Sequence, residues 1–187
     1  MRSLQLLALA LGSSLVACAP AGVNGTVSGN ALNAKDAIFG VLDDQSLVIL
    51  IGEHDSLCSA IAGNAHFANA SALALRILRH DSAGNPLPIV PGKYSVTTNE
   101  VVEEMPAQAA AARFLRTGPD CAGVLSDDQS VAISGTVTID SVESGKDARG
   151  SFDIKVGTQA DELTGSFDAG YCEALTTYDV SGQSVCK

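Results

Sequence analysis

The stretch GEHDSLC sets Glu53, His54 and Asp55 shortly before Cys58, and all four are residue types that bind metal ions. Adjacent residues at a strand end point to opposite faces, so they do not converge on one ion; the stretch reads as a solvated loop. His66 and His80 lack a partner at the H-x-x-x-H spacing, and the helical H-E-x-x-H is absent. Asp43-Asp44 and Asp127-Asp128 are doublets of a residue that favours turns, without the spacing of a calcium loop. Glu100, Glu103 and Glu104 read as a solvated acidic face. Ser184-Val185-Cys186-Lys187 matches S-x-x-K, but the S-D-N and K-T-G partners of that acyl-transfer chemistry are missing. There is no G-x-S-x-G, no phosphate-binding glycine loop and no dinucleotide fingerprint. The expectation is a non-enzyme with no catalytic, cofactor-binding or metal-binding residues.

The cysteines carry more information. Cys58, Cys121, Cys172 and Cys186 are an even set, which in an exported chain reads as two disulfides with three alternative connectivities. The pairing favoured from sequence is Cys172–Cys186, closing a short C-terminal loop, with Cys58–Cys121. No C-x-x-C occurs, so neither a zinc knuckle nor a thioredoxin-like pair is suggested. Cys18 is the odd one left over.

Cys18 ends the apolar stretch LQLLALALGSSLVA, which follows the single positive charge of Arg2. The run is shorter than the about 20 residues a membrane-spanning helix needs and has the layout of a secretory signal. Leu15-Val16-Ala17-Cys18 resembles the lipobox of bacterial lipoproteins. The resemblance implies a diacylglyceryl group on the Cys18 thiol, cleavage before Cys18 and acylation of the new N-terminus. One acyl chain binds membrane marginally and two or more anchor stably. The expected partner is therefore a lipid bilayer, reached through acylated Cys18, in a bacterial cell envelope. Ala19, in place of Asp, implies the outer membrane by the same resemblance.

Residues 1–17 are thus expected to be a signal, 18–24 a lipidated tether, and 25–187 a single domain. Without Arg2, the 11 basic residues fall to 10 against 21 acidic ones, a formal charge of −11. Nucleic acid is excluded as a partner, because it needs clustered Lys and Arg. The acidity serves solubility, or faces a basic protein partner such as a lysozyme; that inhibitor reading is the alternative function. Trp is absent, leaving Tyr94, Tyr171 and Tyr178 as the polar-tipped aromatics available for stacking.

The elements that position these groups read as strands. Val131, Ile133, Gly135, Val137 and Ile139 alternate with Ala132, Ser134, Thr136, Thr138 and Asp140. A turn at Ser144-Gly145 leads to RGSFDIKV, and GTQADE leads to LTGSFDAG. Strands are predicted over residues 131–141, 149–156 and 163–167, as an antiparallel meander. GSFD occurs at 150–153 and 165–168, which sets both Phe residues on one inward face. GTV at 25–27 and 135–137 marks two predicted strand starts. DAIFGVL and SLVILIG read as strands joined at Asp43-Asp44, the second apolar enough to be covered on both faces. SALALRILRH has helix propensity and strand alternation. Residues 105–116 carry helix start and stop signals as well as alternation; the surrounding pattern favours strand.

The order LVILIG…C, PGKYSV, ISGTVTIDSV, GSFDIK, LTGSFDAGYC resembles a group of small bacterial envelope lipoproteins of uncharacterised function. The resemblance implies an all-β antiparallel sandwich and supplies no activity.

Overall fold

The computed structural model describes residues 21–98, 106–177 and 185–187. Cys18 and its lipobox, Glu100, Glu103, Glu104, Tyr178 and Ser184 lie outside the described residues. The elements in chain order are β1 (Ala21–Val27), β2 (Asn30–Ala31), β3 (Asp36–Val41), β4 (Leu47–Gly52), α1 (Leu57–Ala62), β5 (Ala65–His66), β6 (Ser71–Arg79), β7 (Gly92–Val96) and β8 (Gln108–Arg116). They continue with α2 (Asp127–Ser130), β9 (Ala132–Glu143), β10 (Asp147–Val156), β11 (Asp161–Tyr171), α3 (Glu173–Thr176) and β12 (Val185–Cys186).

The protein is mostly β, as expected, but the antiparallel sandwich is not found: the main sheet closes into an eight-stranded mixed barrel. Its order is β10-β9-β7-β8-β6-β4-β3-β11, and β11 returns to pair with β10. β11 makes this closure possible because it is long enough to be shared. One edge pairs with β10 over Asp161–Gly170, while the other takes β1 over Leu163–Phe167 and β3 at Gly170 and Tyr171. The β11–β3 and β7–β8 pairs are parallel and the other barrel pairs are antiparallel. β1 begins at Ala21, so residues 21–24 of the expected tether belong to the sheet.

Eight strands leave an interior just wide enough to fill with side chains. Here Tyr94, Phe39, Phe114, Leu75, Ile139 and Leu163 are fully buried within it. Tyr94 is therefore no stacking platform; its hydroxyl donates to the Val90 carbonyl at 2.7 Å. Tyr171 sits edge-on to Phe39, with ring centroids 5.5 Å apart.

The two GSFD copies explain the tightest part of this core. Phe152 and Phe167 both point inward, as expected, and each faces the glycine of the other copy: Phe152 pairs with Gly165 and Gly150 with Phe167. A methyl group added at Gly165 would lie 2.6 Å from the Phe152 ring, and one at Gly150 would lie 2.7 Å from the Phe167 ring. The glycine is where the opposing ring goes.

Alternation failed at one predicted strand. Lys155 pairs with Ser134 but Val156 pairs with Ala132, so Ile133 is the extra residue of a bulge. The bulge inverts the phase: Ala132 is buried and Ile133 faces outward. The GTV motifs are also not strand starts; they end β1 and lie within β9. Their glycines have φ +104° at Gly25 and +129° at Gly135, a region open chiefly to glycine. Both ambiguous segments, by contrast, are strands, β6 and β8, paired antiparallel in register from Ser71–Arg116 to Arg79–Gln108.

The cysteine connectivity favoured from sequence is wrong. The bonds are Cys58–Cys172 and Cys121–Cys186. The tail does not fold back on Cys172. Instead β12 lies parallel to β5, with Val185 level with Ala65, and Cys186 reaches the 117–124 loop. Cys58 lies on α1, which packs beside α3 on the outer face of β3 and β4, and Cys172 opens α3.

Candidate binding groove

Alternation along β4, β6 and β8 decides both faces of this part of the wall. Leu47, Ile49 and Ile51 point inward with Leu73, Leu75, Ile77, Ala112 and Phe114. The residues between them point outward, and the register aligns Gly52 with Ala72 and Leu115, and Leu50 with Ala74. The outer surface here is apolar and low, because the side chains of Gly52, Ala72 and Ala74 are a hydrogen or a methyl group.

Two walls rise from this floor. The first is α1, with Leu57, Ala60 and Ile61, backed by Leu175 of α3. Gly52 and Gly40 seat these helices: a methyl group at Gly52 would touch Leu57 at 3.1 Å, and one at Gly40 would touch Thr176 at 3.2 Å. The Leu57 N–H donates to Asp36 Oδ2 at 2.8 Å, fixing where α1 begins. The second wall is the 65–70 segment. The Thr117 hydroxyl donates to the Phe67 carbonyl at 2.6 Å and accepts from the Ala70 N–H at 3.0 Å. β12 flanks the same segment, and the Lys187 N–H donates to the His66 carbonyl at 2.9 Å. The enclosed hollow measures about 340 Å³, within the size range of small-molecule sites. Val48 and Ala74 also line a second hollow of about 270 Å³, which extends over β6 and β8 to Thr97 and Val131.

Each disulfide braces one wall. Cys58–Cys172 ties α1 to α3, and Cys121–Cys186 ties the strand beside the 65–70 segment to the 117–124 loop. This is the structural consequence of the connectivity that sequence reasoning missed.

The polar residues at the rim are already engaged. Glu53 accepts from the Ser71 N–H at 2.6 Å and the Asn33 N–H at 3.2 Å, and lies 3.7 Å from Arg116. Arg116 also donates to Ser71 Oγ at 3.0 Å. His54 stacks on Phe67 with centroids 3.9 Å apart. Glu53 and His54 thus line the same hollow, while Cys58 is taken by its disulfide. Among the described residues, no group of three or more His, Cys, Asp or Glu is placed to hold a metal ion. Asp127 and Asp128 open α2, where Asp127 pairs with Arg113 at 2.6 Å. The hollow therefore offers apolar contact and shape. Nothing in the sequence pointed to it except the alternation of Ala with Leu in SALAL, which gives one strand a large apolar inner face and a small apolar outer one.

Asp44 borders this side of the barrel at the β3–β4 turn. Partial burial pushes its carboxyl upward, but hydrogen bonds from the Ser46 hydroxyl and N–H, then the Arg76 guanidinium, outweigh that and hold it below the ordinary carboxylate range. A carboxyl depressed in the folded state stabilises above its unfolded pKa and loses that stabilisation as pH falls through the folded value. Asp44→Asn should therefore narrow the difference in melting temperature between pH 7 and pH 3. With both side chains 41 % exposed, the change should stay within about 1 kcal/mol.

No protein-family model matches this chain, and no curated protein or solved structure shows significant similarity to it.

Proposed function

We propose that this chain is a membrane-anchored protein of the bacterial envelope, held by lipid on Cys18, whose barrel is a non-catalytic binding or structural domain. The observation that carries the reading is the lipobox-like Leu15-Val16-Ala17-Cys18 at the end of an apolar run. The disulfides lend weaker support. Two bonds are usual where the surroundings are oxidising, outside the cytosol, and they leave Cys18 as the cysteine without an internal pair. The non-catalytic part rests on the groove, where Glu53 and the Thr117 hydroxyl hold backbone groups of the walls and Arg116 is engaged by Ser71 and Glu53. Ala19, in place of Asp, supports the outer membrane as the anchor's location through the same resemblance.

Cys18→Ser tests the anchor. The wild-type protein should partition into the detergent phase on Triton X-114 separation, and the variant into the aqueous phase. A variant that stays in the detergent phase would defeat the reading.

A further inference from the structure

We propose that the outer groove holds one acyl chain of the lipid on Cys18 when the protein is off the bilayer; this rests on the lipid-anchor reading. The groove has the chemistry of an aliphatic chain site. Its floor is Leu50, Gly52, Ala72 and Ala74, its far side is Leu115, and at its rim Glu53 and Thr117 are engaged by backbone groups while His54 stacks on Phe67. Its position names the occupant. β1 and β3 share one edge of β11, and Ala21 lies level with Phe167, three residues before the point where β3 begins to pair. Asp36, the first residue of β3, aligns with Gly52, and Gly52 with Ala72. Ala21 therefore lies within about one residue of the level of the Asp36–Gly52–Ala72 row that crosses the groove floor. The floor begins one strand beyond β3, at about 4.8 Å per strand.

Cys18 is three residues from Ala21, a reach of up to about 10 Å, so a chain attached to its sulfur or amino group can lie along the floor. Tethering of this kind gives an effective concentration in the millimolar range. Even a shallow site is then filled, and apolar surface that an unbound chain would expose to water is covered.

The full-length protein, produced in bacteria fed a diazirine-bearing fatty acid, provides the test. After purification, its mass reports whether Cys18 is acylated. After detergent removal and illumination, peptide mapping reports what the acyl chain touched. The expected result is a cross-link within one molecule, joining the Cys18 peptide to peptides of β4, α1 or β6. Filling the floor with Ala74→Trp or Ala72→Phe should weaken the hold on the chain by at least about tenfold, the change in the binding equilibrium from uncovering two methylenes, and lower the cross-link yield. Acylated protein that cross-links only between molecules, or only at other surfaces, would overturn the groove assignment and leave the anchor standing. An unmodified Cys18 would overturn both.

Discussion

Replacing Cys58 and Cys172 together by serine is expected to lower the free energy of unfolding by about 4–5 kcal/mol, the value the chain-entropy model gives for a loop of this length. The bond joins residues 114 apart, and the loop it closes contains most of the barrel. Cys121–Cys186, separated by 65 residues, would on chain entropy alone cost only a few tenths of a kcal/mol less. Packing separates them. Cys172 is buried with Leu57, Ile38 and Leu175 in an apolar cluster outside the barrel, whereas Cys186 is exposed on a two-residue strand. Opening the first bond also frees α1 and α3, whose six and four residues are too few to be helical alone. Urea unfolding of the two double variants should show the Cys58/Cys172 variant clearly less stable. Equal losses would mean the outer helices add nothing to the fold.

Gly165→Ala and Gly150→Ala should each cost about 3 kcal/mol or slightly more, at the top of the range for overpacking a filled core. Two obstacles meet at each site. At Gly165 the new carbon would lie 2.2 Å from the Gly22 carbonyl as well as against the Phe152 ring. At Gly150 it would lie 2.1 Å from the Thr138 carbonyl as well as against the Phe167 ring. A ring can turn aside, but a carbonyl held in a strand moves only with its strand. Trimming the ring should therefore give partial rescue: Gly165→Ala with Phe152→Leu should be less destabilised than the sum of the two single changes. Ala at Gly170, where nothing lies within 4 Å, is the control and should change stability by less than about 1 kcal/mol. Full additivity of the Gly165 and Phe152 changes would show that ring and glycine do not compete for one space.

The parts of this fold that sequence conveyed are local. The β9–β10–β11 meander follows from alternation and short turns, and the GSFD repeat fixed the inward side of both Phe residues. β8 also followed from alternation, against the helical propensity of its alanines, because the register with β6 buries every second residue. The closure was not legible. A sandwich and a filled barrel both bury one face of each strand, so alternation is the same in either. What separates them here is the parallel contact of Gly170 and Tyr171 with Ile38 and Phe39, more than 120 residues away. The disulfides were hidden for the same reason, since loop length favours near neighbours and only the packed helices bring Cys58 to Cys172. The groove needed both pieces of missing information. Its floor is the outer face of strands whose inner face dominated the pattern, and its walls stand where the disulfides hold them.

The mass of the N-terminal peptide of the protein purified from bacterial membranes tests the central claim most directly. The account predicts a peptide beginning at Cys18 that carries a diacylglyceryl group on the sulfur and an acyl group on the amine. A peptide that begins elsewhere, or one that begins at Cys18 with a free thiol, would contradict it.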